Sequence, residues 1–145
     1  MDAREIGQDE ILLNEGFLRI SHSSKEKLIH LEWKGYARSD QYRNGLDLAL
    51  DFVMRNDVRF WLADLLTMTA IVQDDEKWAN EVWFPKLFHT GLEKMAIMRS
   101  SDYFNQTSVQ RSFTAVNGQL TFKVAWFPEP VEAALWLFTP EAISA

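Results

Sequence analysis

Val58-Arg59-Phe60-Trp61-Leu62-Ala63-Asp64 is a short, nearly continuous apolar run that ends on an acidic residue. Thr67 and Thr69 follow it, and an amphipathic segment lies on each side. This pattern is typical of a central strand that is buried on both faces of an α/β sheet. Because such folds place function in the loops at the carboxyl ends of their strands, the run also indicates where a site should lie.

The segments around this run predict the order ββαβαβαβα. Residues 17–22 and 29–33 are rich in apolar side chains and flank a polar turn, which predicts an antiparallel hairpin. Further strands are expected at 58–64, 94–98 and 122–126, and apolar stripes at helical spacing lie between them and after the last one. We therefore predict a mostly parallel five-stranded sheet with an antiparallel first strand and about four helices.

Length and composition predict one globular domain. The chain has 145 residues, of which 47% are hydrophobic and 25% are charged, and both fractions are ordinary for a folded domain. Residues 1–10 are polar and are expected to be frayed, whereas residues 11–145 should form the domain. Six Trp and ten Phe predict a core or a partner surface that is rich in aromatic rings.

The composition also excludes several kinds of function. The chain has no Cys, which excludes disulfides, thiolate catalysis and Cys-ligated zinc. A net charge of −6 argues against nucleic acid as a partner, because phosphate binding needs a basic surface. The chain has no apolar run of about 18 residues and no apolar signal core at its start, so we expect no membrane span and a cytoplasmic location.

No motif for catalysis, metal binding or a cofactor stands out. The chain lacks a Gly-x-Ser-x-Gly elbow, a Gly-x-x-x-x-Gly-Lys phosphate loop and a Gly-x-Gly-x-x-Gly turn. His22, His30 and His89 show no metal-ligand spacing such as His-Glu-x-x-His. The acidic cluster at residues 74–76 is expected to cap a helix and match its dipole. We therefore predict no catalytic residue, no metal site and no cofactor.

Three segments of the chain resemble the SpoIIAA-like proteins, a group that includes the STAS and Sec14-like domains. They are Leu31-Glu32-Trp33-Lys34-Gly35-Tyr36, Phe60-Trp61-Leu62-Ala63-Asp64 and Glu81-Val82-Trp83-Phe84-Pro85. Together with the chain length and the order of elements, the resemblance covers roughly residues 11–139 and points to a small bacterial branch of the group. It implies a SpoIIAA-like α/β fold and a non-enzymatic regulatory or protein-interaction module like the anti-sigma-factor antagonists.

The resemblance implies two kinds of function. In anti-sigma-factor antagonists, a partner kinase phosphorylates a Ser or Thr just after the central strand and thereby switches partner binding. Thr67 and Thr69 are the candidate acceptors in this chain. The motif typical of that site is Asp-Ser-Ser-Gly, whereas this chain has Thr69-Ala70-Ile71-Val72. Sec14-like relatives enclose lipids, so a small-ligand protein that binds a lipid or an anion is the alternative.

Polar residues at the carboxyl edge of the predicted sheet form a candidate anion or loop site. Parallel strands deliver their following loops to the same edge, so two guanidinium groups, several hydroxyls and exposed helix-start amides should converge there. The alternative is that the hydroxyls cap helices, the carboxylate holds a loop amide and the arginines are solvated. The candidate residues are Arg38, Ser39, Asp64, Arg99, Ser100 and Ser101.

Four large rings in one predicted helix form a candidate interface. Because Trp78 and Trp83 are five residues apart, the set does not fit on one face of an α-helix, and an outward-facing subset would form an exposed apolar patch. The simplest partner for such a patch is a second copy in a homodimer. The alternative is that Pro85 kinks the helix so that both subsets reach the core. The rings are Trp78, Trp83, Phe84 and Phe88.

Overall fold

A six-stranded mixed sheet organises the chain in the computed structural model, which describes residues 10–140. Its strands are β1 (Glu10–Asn14), β2 (Leu18–Ser23), β3 (Leu28–Gly35), β4 (Phe60–Met68), β5 (Lys94–Met98) and β6 (Lys123–Phe127). They lie side by side in sequence order, with β2 antiparallel to both of its neighbours and all pairs from β3 to β6 parallel. The predicted α/β class, the hairpin and the mostly parallel sheet are confirmed.

The sheet has one strand more than the five predicted. β1 pairs with β2, and its register shifts between Ile11 and Leu13. This irregularity interrupts the alternation of apolar and polar side chains, so the segment carries no period-two signal. Glu10 lies in this strand rather than in the predicted frayed tail, and residues 1–9 of that tail lie outside the described residues.

Four helical segments connect and cover the strands, in the number predicted. They are α1 (Ser39–Arg55); a continuous segment made of α2 (Gln73–Trp78), a π-helical turn (Ala79–Trp83) and α3 (Phe84–Leu87); α4 (Tyr103–Val116); and α5 (Pro130–Phe138). A short 3₁₀ turn, Asn117–Gln119, follows α4. None of the helices between residues 10 and 140 is long and apolar enough to cross a membrane.

The sheet has a large apolar core on one face and a small one on the other. Successive right-handed crossovers in the same direction place their helices on one face, so α1, the α2–α3 segment and α4 cover the large core. α5 follows the last strand and packs on the opposite face against Leu28, Leu62, Ala96 and Met98. The strand order never reverses between β1 and β6, so the described sheet lacks the switch point at which many α/β folds form a ligand crevice.

The π-helical turn brings both tryptophans of the α2–α3 segment to the same side. The amide of Phe84 donates to the carbonyl of Ala79, five residues earlier, so a five-residue spacing spans about one turn. Pro85 has no amide hydrogen, and in a regular α-helix its ring would clash with the carbonyl four residues before it. The wider turn lets the chain continue as α3 without a break in the segment.

The prediction of an outward-facing subset of rings is therefore wrong. Trp83 and Phe84 are buried, and Trp83 Nε1 donates to the carbonyl of Leu46 on α1 at 2.9 Å. Trp78 and Phe88 are half-buried and pack against the same core. The alternative, in which both subsets reach the core, is correct, and a π-helical turn achieves it rather than a simple proline kink.

Candidate functional site

The loops that follow β3, β4 and β5 meet at one edge of the sheet, as predicted. The amide of Thr69 donates to the carbonyl of Gly35 at 2.9 Å, and the amide of Ser101 donates to the carbonyl of Leu66 at 3.3 Å. The first bond joins the loop after β4 to the end of β3, and the second joins β4 to the loop after β5. The carboxyl edge is defined here as residues 35–38, 69–72 and 99–105.

Two buried polar side chains of the carboxyl edge hold the loop after β4 in place. Ser100 Oγ donates to the carbonyl of Met68 and accepts from the amide of Asp102 at 2.9 Å. Asn105 is fully buried in the first turn of α4, and its Nδ2 donates to the carbonyl of Thr69 at 2.8 Å. The loop is therefore anchored by side chains from the next loop and the next helix.

The structure does not bring the two predicted arginines together. Arg38 pairs with Asp40 on α1, with 3.2 Å between Nε and Oδ1, and both side chains are exposed. Arg99 lies over the ring of Trp126 on β6, with its Cζ 4.8 Å from the ring centre. Because two strands lie between β3 and β6, these guanidinium groups do not converge on a common anion.

The predicted serines have partners within the protein. Ser39 Oγ donates to the buried carboxylate of Asp75 at 2.9 Å. Ser100 holds the loop after β4, and Ser101 Oγ lies 3.5 Å from the carbonyl of Leu66. The alternative prediction, in which these hydroxyls serve local structure, fits this geometry better than an anion site does.

Asp64 lies inside β4, on the sheet face opposite the large core, and is not part of the carboxyl edge. β4 continues beyond this residue with a bulge, because β3 advances two residues, from Glu32 to Lys34, while β4 advances three, to Thr67. Asp64 Oδ1 accepts the bulge amide of Leu66 at 3.1 Å. The acidic end of the apolar run therefore marks a bulge rather than the end of the strand.

Three titratable side chains meet on this second face of the sheet. Glu32 lies directly opposite Asp64 in the strand pairing, and His30 precedes Glu32 by two residues on the same side of β3. One ligand atom from each lies within 4.8 Å of the other two. Burial raises the pKa of Asp64, the Leu66 amide opposes this shift and Glu32 adds to it. The cluster was not predicted, because its members come from two strands that are distant in sequence.

Both candidate phospho-acceptors are exposed. Thr67 lies within β4, opposite Lys34, and its Oγ1 is 3.4 Å from the carbonyl of Trp33. Thr69 lies in the loop beyond, where its backbone is held by the neighbouring loop and by α4. Both side chains therefore reach solvent, but only Thr69 belongs to the carboxyl edge.

Two adjacent rings at the carboxyl edge are exposed to solvent. Tyr103 and Phe104 begin α4, are 71% and 70% exposed, and have ring centres 5.7 Å apart. Tyr36 and Val72, in the loops after β3 and β4, are 55% and 38% exposed. The sequence analysis missed the two rings because it considered only the apolar side chains on the inner side of α4. That both rings lie outside this apolar stripe was the signal that could have revealed them.

Acidic residues of α2 join the helices that cover the large core. Asp75 is buried and accepts from Arg43 Nε of α1 at 2.9 Å. Glu76 accepts two bonds from Arg111 of α4, at 2.8 and 2.7 Å, and one from Ser108 at 2.6 Å. These bonds, led by that of Arg111, hold the pKa of Glu76 below its ordinary value despite its burial. The cluster predicted to cap a helix therefore ties three helices together.

A small cavity lies between the helices and the sheet. It measures about 80 Å³, with Glu76, Ser108 and Ser112 on its polar side. Typical small-molecule sites measure ~300–1,000 Å³, so the cavity does not hold a lipid in this conformation. Its aromatic walls are formed by Trp33, Tyr42, Trp61, Trp83, Phe84 and Phe113.

Comparison with known proteins gives no match. No family model matches the chain, and no curated protein or solved structure is significantly similar to it. The SpoIIAA-like resemblance stays a prediction, so a function has to be inferred from the geometry of the chain itself.

Proposed function

We propose that the chain is a non-enzymatic regulatory module that binds a protein partner through its carboxyl edge. The observation that supports this proposal is the exposed ring pair of Tyr103 and Phe104. A partner surface would remove these rings from water, and aromatic residues are enriched among those that dominate protein–protein binding. The role would resemble that of the anti-sigma-factor antagonists.

The anchored backbone of the carboxyl edge supports recognition by a preformed surface. Ser100 and Asn105 hold the loop after β4 through bonds to Met68 and Thr69. A loop that is already ordered loses little conformational freedom when a partner binds, so more of the contact energy appears as affinity.

Thr69 would provide regulation within this surface. Its carbonyl accepts from Asn105, which lies in the first turn of α4 directly after the ring pair in sequence. A phosphate there would add about −1.5 to −2 charges. A partner that buries the rings would have to desolvate this charge, so phosphorylation should weaken its binding.

The test compares two pairs of exposed apolar residues. Tyr103→Ser with Phe104→Ser removes the ring pair, whereas Val131→Ser with Leu135→Ser removes similarly exposed side chains from α5. Each protein would be used to isolate partners from a lysate of the native host, with quantitative mass spectrometry. We expect a partner that binds the wild type and the α5 variant, and whose recovery by the ring variant falls by at least about tenfold, as loss of an interface hot spot predicts.

Equal recovery of the same partners by both variants would contradict the proposal, and so would the absence of any specific partner. Light scattering over a concentration series separates self-association from binding to another protein, because a homodimer raises the mass of the chain alone. Thr69→Glu should weaken recovery of the same partner if a charge at this position regulates the edge.

A small-ligand function is the second candidate, and the ring-lined cavity supports it. A lipid would enter only after the helices moved away from the sheet, because the cavity measures about 80 Å³. Native mass spectrometry of protein purified from its host would detect a retained ligand. Ser112→Phe fills the cavity and should abolish that retention; protein that carries no ligand from its host would count against this candidate.

A further inference from the structure

The sheet face opposite the large core carries polar side chains that the proposed function does not use. His30 and Glu32 lie on this face of β3, and Asp64 lies on this face of β4. Their neighbours along each strand, such as Leu31 and Ala63, point the other way and belong to the large core. His30, Glu32 and Asp64 are all half-buried. α5 covers the neighbouring apolar part of the face, around Leu62 and Ala96.

We propose that His30, Glu32 and Asp64 bind a divalent metal ion. One ligand atom from each side chain lies within 4.8 Å of the other two. Such ions hold their ligands at about 2.0–2.2 Å, so two ligand atoms are about 4.4 Å apart in opposite positions and about 3 Å apart in adjacent ones. The ligand atoms therefore need to approach one another by at most roughly 1.8 Å, which side-chain rotation provides.

The register of the strands brings two negative charges together at this place. Glu32 lies directly opposite Asp64 in the parallel pairing of β3 and β4, and like charges at such positions repel each other. The bulge amide of Leu66 holds Asp64 through Oδ1 at 3.1 Å, which leaves Oδ2 for the ion. A bound cation would remove the repulsion between the two carboxylates.

One basic residue competes with the ion for Glu32, and a second one lies opposite Glu32 on the neighbouring strand. Lys34 Nζ lies 3.1 Å from Glu32 Oε1, and Arg19 on β2 is paired with Glu32 in the register of the sheet. Removal of Lys34 should therefore tighten metal binding, whereas removal of a ligand should weaken it. A carboxylate pair that attracts cations without a built site would show the same two signs, but its affinity would not depend on the imidazole of His30, so the His30 variant separates the two cases.

The donor set selects the class of ion. One imidazole nitrogen and two carboxylate oxygens suit Mn²⁺ or Zn²⁺, whereas Mg²⁺ favours oxygen ligands and keeps several waters. Three protein ligands leave further positions for water, as in metal sites that remain open on one side.

Calorimetric titration of the chelator-treated full chain with ZnCl₂ and MnCl₂ tests the proposal, with MgCl₂ as the reference salt. We expect one Zn²⁺ or Mn²⁺ per chain. Glu32→Gln, Asp64→Asn and His30→Gln should each weaken binding by more than the ~10–100-fold typical of residues that only support a ligand. Lys34→Gln should tighten it. Asparagine at position 64 keeps an oxygen for the Leu66 amide, so the bulge is preserved.

Glu10→Gln is the matched control, because it removes a carboxylate that lies 3.5 Å from His22 Nδ1, outside the cluster. Its metal affinity should equal that of the wild type, and circular dichroism checks that each variant is folded. Lys34 has a 44% exposed side chain, so its variant should stay folded even where a ligand variant does not, and an unchanged metal affinity in it would contradict the proposal. No binding at millimolar metal, or binding that His30→Gln leaves unchanged, overturns the proposal.

Discussion

Glu76 and Asp64 illustrate how the surroundings of one carboxylate set the sign of its contribution to stability. Arg111 donates two hydrogen bonds to Glu76 and Ser108 donates a third, which lowers the pKa of Glu76 although the side chain is buried. Asp64 accepts from the amide of Leu66, and burial raises its pKa. Relative to the unfolded chain, folding therefore favours the charged form of Glu76 and the neutral form of Asp64.

Glu76→Gln should lower the free energy of unfolding at pH 7 by about 1.5–3 kcal/mol, the loss expected for hydrogen bonds to a charged group. A carboxyl whose pKa is lowered by folding stabilises the protein above its unfolded value of 4.5, and this stabilisation disappears as the pH falls through the folded pKa. The gap between variant and wild type should therefore close below pH 4.5. Urea denaturation of both proteins at a series of pH values measures this difference in the free energy of unfolding.

Asp64→Asn should behave in the opposite way in metal-free buffer. Asparagine keeps an acceptor for the Leu66 amide but removes a charge that burial disfavours. Its free energy of unfolding should equal or exceed that of the wild type at neutral pH. The advantage should vanish as the pH falls towards 3.8, because the wild-type carboxyl then takes up a proton itself. Equal losses for the variants at positions 64 and 76 at pH 7 would refute this account.

The π-helical turn of Ala79–Trp83 resolves a conflict between sequence spacing and packing. Side chains five residues apart diverge on an α-helix, which turns by about 100° per residue. A π-helical turn holds one extra residue, so the helical pieces before and after it keep their inner faces. Glu81 and Val82 are exposed on the outside of this turn.

Deletion of Glu81 together with Pro85→Ala should turn the α2–α3 segment into a regular α-helix with little loss of stability. The deletion removes the extra residue, and alanine restores the amide that a continuous helix requires. Trp78 and Trp83 then become four residues apart and remain on one face. Chemical denaturation measures the stability, and near-ultraviolet circular dichroism reports whether the rings keep a packed environment.

Deletion of the exposed Gln110 in α4 is the matched control, because α4 is a regular α-helix. There the loss of one residue rotates the rest of the helix by about 100°, which turns the buried Val116 away from the core. We expect this variant to lose far more stability. Similar damage from the two deletions would mean that the π-helical turn is not a removable insertion.

The two faces of the sheet carry layers that should differ in local stability. Three helical segments pack on the large core, whereas α5 alone packs on the small one within the described residues. Lys94 Nζ donates to the carbonyls of Trp136 and Thr139 at 2.8 and 2.9 Å. Because these carbonyls lie at the carboxyl end of α5, Lys94 caps this helix. We therefore expect α5 to open locally while the rest stays folded.

Lys94→Met should loosen α5 and leave the large core intact. Methionine fills similar space but donates no hydrogen bond, and bonds from a charged group are worth about 1.5–3 kcal/mol. Hydrogen-exchange mass spectrometry should show faster exchange in α5 and unchanged protection in β3 and β4. Lys86→Met, at an exposed position of α3, should leave exchange in α5 unchanged. Faster exchange of the Lys94 variant across the whole sheet would argue against separate opening.

The predictable part of the fold is the part with regular local periodicity. The buried run after Val58 and the apolar stripes around it were enough to predict the parallel strands and their crossovers. The features that escaped prediction are departures from regular backbone geometry: the shifted register of β1, the bulge after Asp64 and the π-helical turn at 79–83. Each breaks the period on which a sequence pattern depends.

The candidate site was less predictable than the fold. Topology brings the loops after parallel strands to one edge, so the place of the carboxyl edge could be predicted. The partners of Arg38 and Arg99 could not be predicted, because each arginine contacts a side chain of a different neighbouring element. Arg38 pairs with Asp40 on α1, and Arg99 lies over Trp126 on β6. The cluster of His30, Glu32 and Asp64 depends on strand register, which no local pattern encodes.

The sequential order of the six strands bears on how the chain reaches this structure. Each strand from β2 to β6 pairs with the one made just before it, so a chain that emerges from the ribosome can add each strand to the edge it has just completed. Pairing between successive strands keeps the sequence separation of the sheet contacts lower than any order that interleaves distant strands would, and lower contact order is associated with faster folding. The hairpin of β1 and β2 is the earliest pair to be complete. α5, the last of the described elements, closes the second face after β4 and β5 are in place.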